Sequence, residues 1–191
     1  MMGQITTRSI LAPVFAIVVA SAAQAESLCG VLDRSQVLGT IAGDWQLEGA
    51  VSAEGETLSQ VRQTLGHVII DATGRIATAV APAGEEAPRA ALEDDSLTLT
   101  STGVFYDVDR ADDIFDTVEA PWIADAVSET PCGPERLLQL GGMFEVGDST
   151  SGIVAVLPYF SDRIVLIGET KITSERGLIF VTRAALLTRA K

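Results

Sequence analysis

Ser149 lies in the run Gly147-Asp148-Ser149-Thr150-Ser151-Gly152 and follows His67 and either Asp107 or Asp109 along the chain. Those three residue types are what nucleophilic acyl transfer needs: histidine takes the serine proton and a buried aspartate holds the imidazole in place. The same six residues also make a good hairpin turn, because Gly, Asp and Ser tolerate tight backbone and bond to it locally. A second set is acidic: Asp107, Asp109, Asp112, Asp113 and Asp116 offer the oxygens that hard cations prefer. Their spacing breaks the calcium-loop pattern, with Ala111 at the fifth position, Asp112 where glycine is required and Val118 where glutamate should close the loop. They read as a solvated acidic face. His67 is the sole histidine, so zinc or copper would lack ligands, and no metal or cofactor is expected. No phosphate-cradling loop, heptad run or internal repeat is present.

The two cysteines, Cys29 and Cys132, take their meaning from the first 25 residues. Arg8 precedes an apolar run from Ile10 to Ala20, and Ala23-Gln24-Ala25 supplies small residues at the positions a signal peptidase reads. Residues 1–25 therefore read as a signal peptide and residues 26–191 as a single domain, periplasmic or secreted. The apolar run is too short to span a bilayer core of about 30 Å. In an oxidising compartment the two cysteines should form one disulfide. Lipid attachment at Cys29 is disfavoured because Leu28, not a small residue, precedes it and Glu26 lies three before.

Charge narrows the partners. The chain carries 26 acidic and 13 basic residues, a net charge of −13, and loss of the leader's Arg8 takes the remainder to about −14. Nucleic acid is excluded as an expected partner because phosphate binding needs clustered Lys and Arg. Anionic membrane surfaces are disfavoured for the same reason.

The elements that must position these residues are mostly strands. Val31 to Ile41 reads as a short helix, with Asp33 as its cap. Then the period becomes two: Trp45, Leu47, Gly49 and Val51 alternate with polar or small neighbours. A strand through Val68 and Ile70 turns at Asp71-Ala72-Thr73-Gly74 and returns over Arg75 to Val80. After a proline-broken connection at 81–91, the same alternation marks Leu97 and Leu99, then Val104, Tyr106 and Val108. Leu138 to Val146, Ile153 to Leu157, Ile164 to Ile172 and Leu178 to Leu187 follow. Eight or nine strands joined by short turns predict an all-β antiparallel barrel, with a short N-terminal helix. Ile153 to Leu157 is apolar on both faces, so something must cover part of the outer surface. The segment from Asp109 to Glu135 lacks a strand pattern. Ile114, Phe115 and Val118 share a helical face, and Pro121 opens a second turn carrying Trp122 and Ile123. It reads as a helical flap, either a structural cap or a lid over a ligand mouth.

Gly43-Asp44-Trp45, at the start of the first strand and just after a short helix, resembles the Gly-x-Trp signature of lipocalins and related calycin barrels. The stretch from Gly43 to Ile76 looks like the opening of bacterial lipocalin-like domains. The resemblance implies that Gly43 and Trp45 are structural and that a basic residue near the end of the barrel, Arg183 or Arg189, packs over the indole. It departs from the family in having no Thr-Asp-Tyr motif and no helix after the last strand. Gly147-Asp148-Ser149 resembles the nucleophile motif of chymotrypsin-like proteases, but Thr150-Ser151 replaces two glycines and His67 lacks the family's Ala-Ala-His-Cys setting. The expected function is a non-enzymatic exported barrel that binds a small apolar ligand or acts as an envelope interaction module. Trp45, Tyr106, Trp122 and Phe144 are the candidate ligand contacts. The alternatives are a protease-inhibitor-type barrel with a protein partner, and a serine hydrolase using Ser149 and His67.

Overall fold

A computed structural model describes residues 25–85, 97–175 and 177–190. The predicted signal peptide lies outside them, apart from Ala25, as does the predicted connection from residue 86 onward. Helix α1 spans Arg34–Ile41, and the Asp33 carboxylate caps it by accepting from the Gln36 amide. Nine strands follow: β1 Gly43–Gly55, β2 Leu58–Ile70, β3 Arg75–Pro82, β4 Leu97–Thr98, β5 Ser101–Gly103, β6 Gln139–Val146, β7 Thr150–Leu157, β8 Arg163–Ser174 and β9 Gly177–Arg189. They form one antiparallel sheet in the order β4-β3-β2-β1-β9-β8-β7-β6-β5. The pairing of β1 with β9 curls this meander into a barrel-like half-closed surface.

No ladder joins the edge strands β4 and β5, and the sheet instead brings β4 against β6. At Gly142 on β6 a Cβ would stand 2.8 Å from the Thr98 carbonyl oxygen. Only glycine lets the two backbones approach so closely.

Alternation along the strands separates two apolar layers. Inward residues, among them Trp45, Leu47, Val68, Leu140, Val156, Ile164 and Leu187, meet Leu28 and the buried face of α1 in one core. Outward residues of β7, β8 and β9, namely Ala155, Leu157, Val165, Ile167 and Ala184, belong to a second core. Its other side comes from α2, Val108–Thr117, and α3, Pro121–Val127, through Ile114, Phe115 and Ile123. This is the cover that the doubly apolar strand Ile153 to Leu157 demands. Pro121 occupies the first turn of α3, where its missing amide costs nothing.

The alternation of Val104, Tyr106 and Val108 predicts a strand, and here the structure corrects the sequence. The strand ends at Gly103 and Val108 already belongs to α2. Two side chains divert the backbone. Gln139, fully buried, accepts from the Phe105 and Tyr106 amides and donates to the Tyr106 and Pro134 carbonyls. Asp107 accepts from the Arg110 amide and starts the helix. The backbone groups that a ladder would use are thereby satisfied within the turn.

The N-terminal segment is tied in place. Leu28 donates its amide to Tyr159 and buries its side chain in the inner core, and Cys29 is bonded to Cys132. Among the described residues no helix is long and apolar enough to cross a membrane.

Candidate functional site

One end of the barrel is filled. Trp45 is fully buried and donates its indole N–H to the Ile41 carbonyl at 2.9 Å. Arg189, its cross-strand partner on β9, lies over the indole with the guanidinium carbon 4.2 Å from the ring centroid. The same guanidinium donates to the carbonyls of Ala42 at 2.7 Å and Ser161 at 3.2 Å, and to that of Thr40. It therefore ties the end of α1 to the sheet. Burial holds its pKa below the ordinary arginine value, opposed by the nearby Asp162. Gly43 is required beside it, because φ is +136° and a Cβ would stand 2.5 Å from Arg189 Nη1.

The other end is hollow. A cavity of about 600 Å³ is bounded by Ile76, Leu97, Phe144, Val154, Leu166 and Val181, with Val146 exposed at its rim. That volume is within the range of small-molecule sites, roughly 300–1,000 Å³. Two small inward residues, Ala185 and Gly168, leave room there. Along β8 and β9 the paired inward residues run from Ile164 with Leu187, through Leu166 with Ala185 at the cavity wall, to Gly168 facing Arg183. Thr78 and Thr170 add hydroxyls to the wall, and Arg183 adds its only charge among the described residues.

The residues singled out in the sequence separate accordingly. Phe144 lines the cavity. Trp45 lies in the filled floor. Tyr106 is buried in the outer core, and Trp122 is partly buried against that same core, so neither lines the cavity. The helical layer carrying Trp122 covers the outside of β7, β8 and β9 and not the mouth. Tyr106 Oη bonds to Glu169 Oε2 at 3.2 Å, and Arg110 pairs with the other oxygen of Glu169, which together fasten α2 to β8. Burial, and then the Glu169 charge, push the Tyr106 pKa well above the usual tyrosine value.

The catalytic set does not assemble. His67 sits within β2, paired with Gln46 and Ala79. Ser149 is in the hairpin turn between β6 and β7, where its carbonyl accepts from the Thr173 amide. Within the sheet β1, β9 and β8 separate β2 from β7. Asp107 is occupied in capping α2. Among the described residues no three His, Cys, Asp or Glu side chains cluster in a way that could hold a metal ion, the Asp107 to Asp116 run included.

Arg183 is the residue whose place sequence reasoning missed. The sequence offers it beside Arg189 as a candidate cover for Trp45, yet the register puts it three inward positions before Arg189 on β9. Parity with Leu187 is the signal that identifies it as inward.

Neither a family model nor a curated protein matches the sequence. Among solved structures the chain is similar to an S-type phycobiliprotein lyase from Guillardia theta, at 8% identity and a TM-score of 0.48, covering 85% of this chain and 95% of that one. It is also similar to a protein of unknown function of the DUF3598 family from Nostoc punctiforme, at 11% identity and a TM-score of 0.34, covering 87% of this chain and 51% of that one.

Proposed function

We propose that this protein is an exported, non-enzymatic barrel of the calycin type that holds one small, largely apolar molecule in the hollow end of its sheet. The observation that carries the reading is the apolar-walled cavity of about 600 Å³ opposite the Trp45 floor. Burying apolar surface there supplies the binding free energy, at about 25 cal/mol per Å² removed from water before the costs of association. The leader and the Cys29–Cys132 bond support an oxidising, extracytoplasmic setting. The separation of His67 from Ser149 removes the support for a hydrolase.

The test is titration of the oxidised protein with the neutral fluorophore N-phenyl-1-naphthylamine, which brightens in apolar surroundings. One saturable site is expected. Val154→Trp, which fills the cavity, should abolish it while the thermal transition is kept. Unchanged binding by the filled variant would place the dye elsewhere and overturn the reading.

A further inference from the structure

The hollow end of the barrel is electrically one-sided. Every Asp and Glu on the strands points outward: Asp44, Glu48 and Glu54 on β1, Glu145 on β6 and Glu169 on β8 alternate with the inward Trp45, Leu47, Gly168 and their paired neighbours. The inward rows of the nine strands hold no carboxylate at all, although acidic residues outnumber basic ones two to one, 26 against 13. They do hold arginines. Arg189 is consumed by the floor. Arg183 and Arg62 flank Val51 on the same inward row, Arg62 bonded to Gln60 and exposed.

Arg183 has no hydrogen-bond or ion-pair partner among the described residues, and its Nε is sealed from solvent. Thr64, paired with Gly49 one inward step from Val51, is buried with its Oγ1 also unpartnered. Arg183 as a whole is half-buried, but an unpaired charge with its Nε cut off from water is costly, and arginine cannot escape the cost by losing its proton at ordinary pH. Desolvation pulls the Arg183 pKa downward, and no acid among the described residues opposes it. Such a group persists where something outside the protein chain completes it.

We infer that Arg183 is the recognition group for an anionic head, so that the cavity takes an amphipathic anion: a single carboxylate or like-charged group against the guanidinium, and an apolar body along Val154, Leu166 and Phe144. The inference rests on the proposed ligand-binding reading and names the ligand class for that same cavity. The planar guanidinium can meet a carboxylate through two parallel bonds, and in a wall where no other described residue is charged those bonds are strengthened by the low local dielectric. The carboxylates of the described strands face outward, away from Arg183.

The experiment compares three probes with one tail, dodecanoate, dodecanol and dodecyltrimethylammonium, by displacement of N-phenyl-1-naphthylamine from the full oxidised protein. Dodecanoate should bind about tenfold or more tightly than dodecanol, the scale of one charge-assisted hydrogen bond, and dodecyltrimethylammonium most weakly. Arg183→Met should erase the preference for dodecanoate and leave dodecanol unchanged; Arg183→Lys should retain part of it. The methionine variant removes a desolvated charge and should fold at least as well as the parent, which its thermal transition verifies. If dodecanoate and dodecanol displace the dye equally, or the preference survives in Arg183→Met, the anion inference fails while the barrel reading stands. If no probe displaces the dye, both fail.

Discussion

Trp45 and Arg189 are direct cross-strand partners of β1 and β9, and their cation–π contact at 4.2 Å is that pairing itself, made by side chains on the inward face. The pair joins three elements, since Trp45 bonds back to Ile41 in α1 and Arg189 to Ala42 and Ser161. Trp45→Ala should therefore cost about 3–5 kcal/mol in denaturant titration, the range for truncating a buried aromatic. A double-mutant cycle with Arg189→Met should return a coupling of about 0.5–2 kcal/mol. Additivity within about 0.3 kcal/mol would mean that the stacked geometry contributes nothing.

Most of the sheet was legible because β structure writes a period of two into the sequence, and short turns join most neighbouring strands. The Gly43-Asp44-Trp45 start is legible for a steric reason: glycine leaves room for the Arg189 guanidinium over the indole. The doubly apolar Ile153 to Leu157 likewise announces a covering layer. Two features left no such mark. Val104, Tyr106 and Val108 alternate like a strand, and only Gln139, some 30 residues on, converts them into a turn. Arg183 looks like any arginine in a strand until the register puts it on the inward face, where no described residue bonds its Nε.

Reduction of Cys29–Cys132 should lower stability by about 2–4 kcal/mol, the usual effect of releasing a long loop. The bond spans 103 residues and fastens the strap carrying buried Leu28 to the flap. Cys29→Ser with Cys132→Ser should reproduce the loss, measured as a shift of the denaturant midpoint at constant slope. Equal midpoints before and after reduction would show that Leu28 and its bond to Tyr159 suffice to hold the strap.

Alkaline pH should destabilise the protein through its two tyrosines. Burial first, then nearby carboxylates, raise the pKa of Tyr106 and of Tyr159 above the ordinary value of 10.0. Below pH 10 both rings are protonated in the folded and unfolded states alike, and the contribution to stability is intact. Above it the unfolded chain loses its phenolic protons while the folded chain keeps them, so stability falls as pH rises. Phenolate absorbance should appear together with unfolding and not before it. Tyr106→Phe with Tyr159→Phe should flatten the slope of stability against pH in this window. Phenolate formation in a protein still folded would refute the burial argument.

The position of the flap makes two measurements diverge. α2 and α3 pack their apolar faces on the outward residues of β7, β8 and β9, while the cavity lies inside the sheet. Ile123 is fully buried at that outer contact, so Ile123→Ala should cost about 2–5 kcal/mol, as core truncations of this size do. Trp122 is only partly buried there, and Trp122→Ala should cost less, about 1–3 kcal/mol. Neither substitution should change the affinity for N-phenyl-1-naphthylamine by more than about twofold, a difference of roughly 0.4 kcal/mol, because neither side chain lines the cavity. A tenfold loss of affinity in Trp122→Ala with stability untouched would reverse this assignment and make the helical layer a lid.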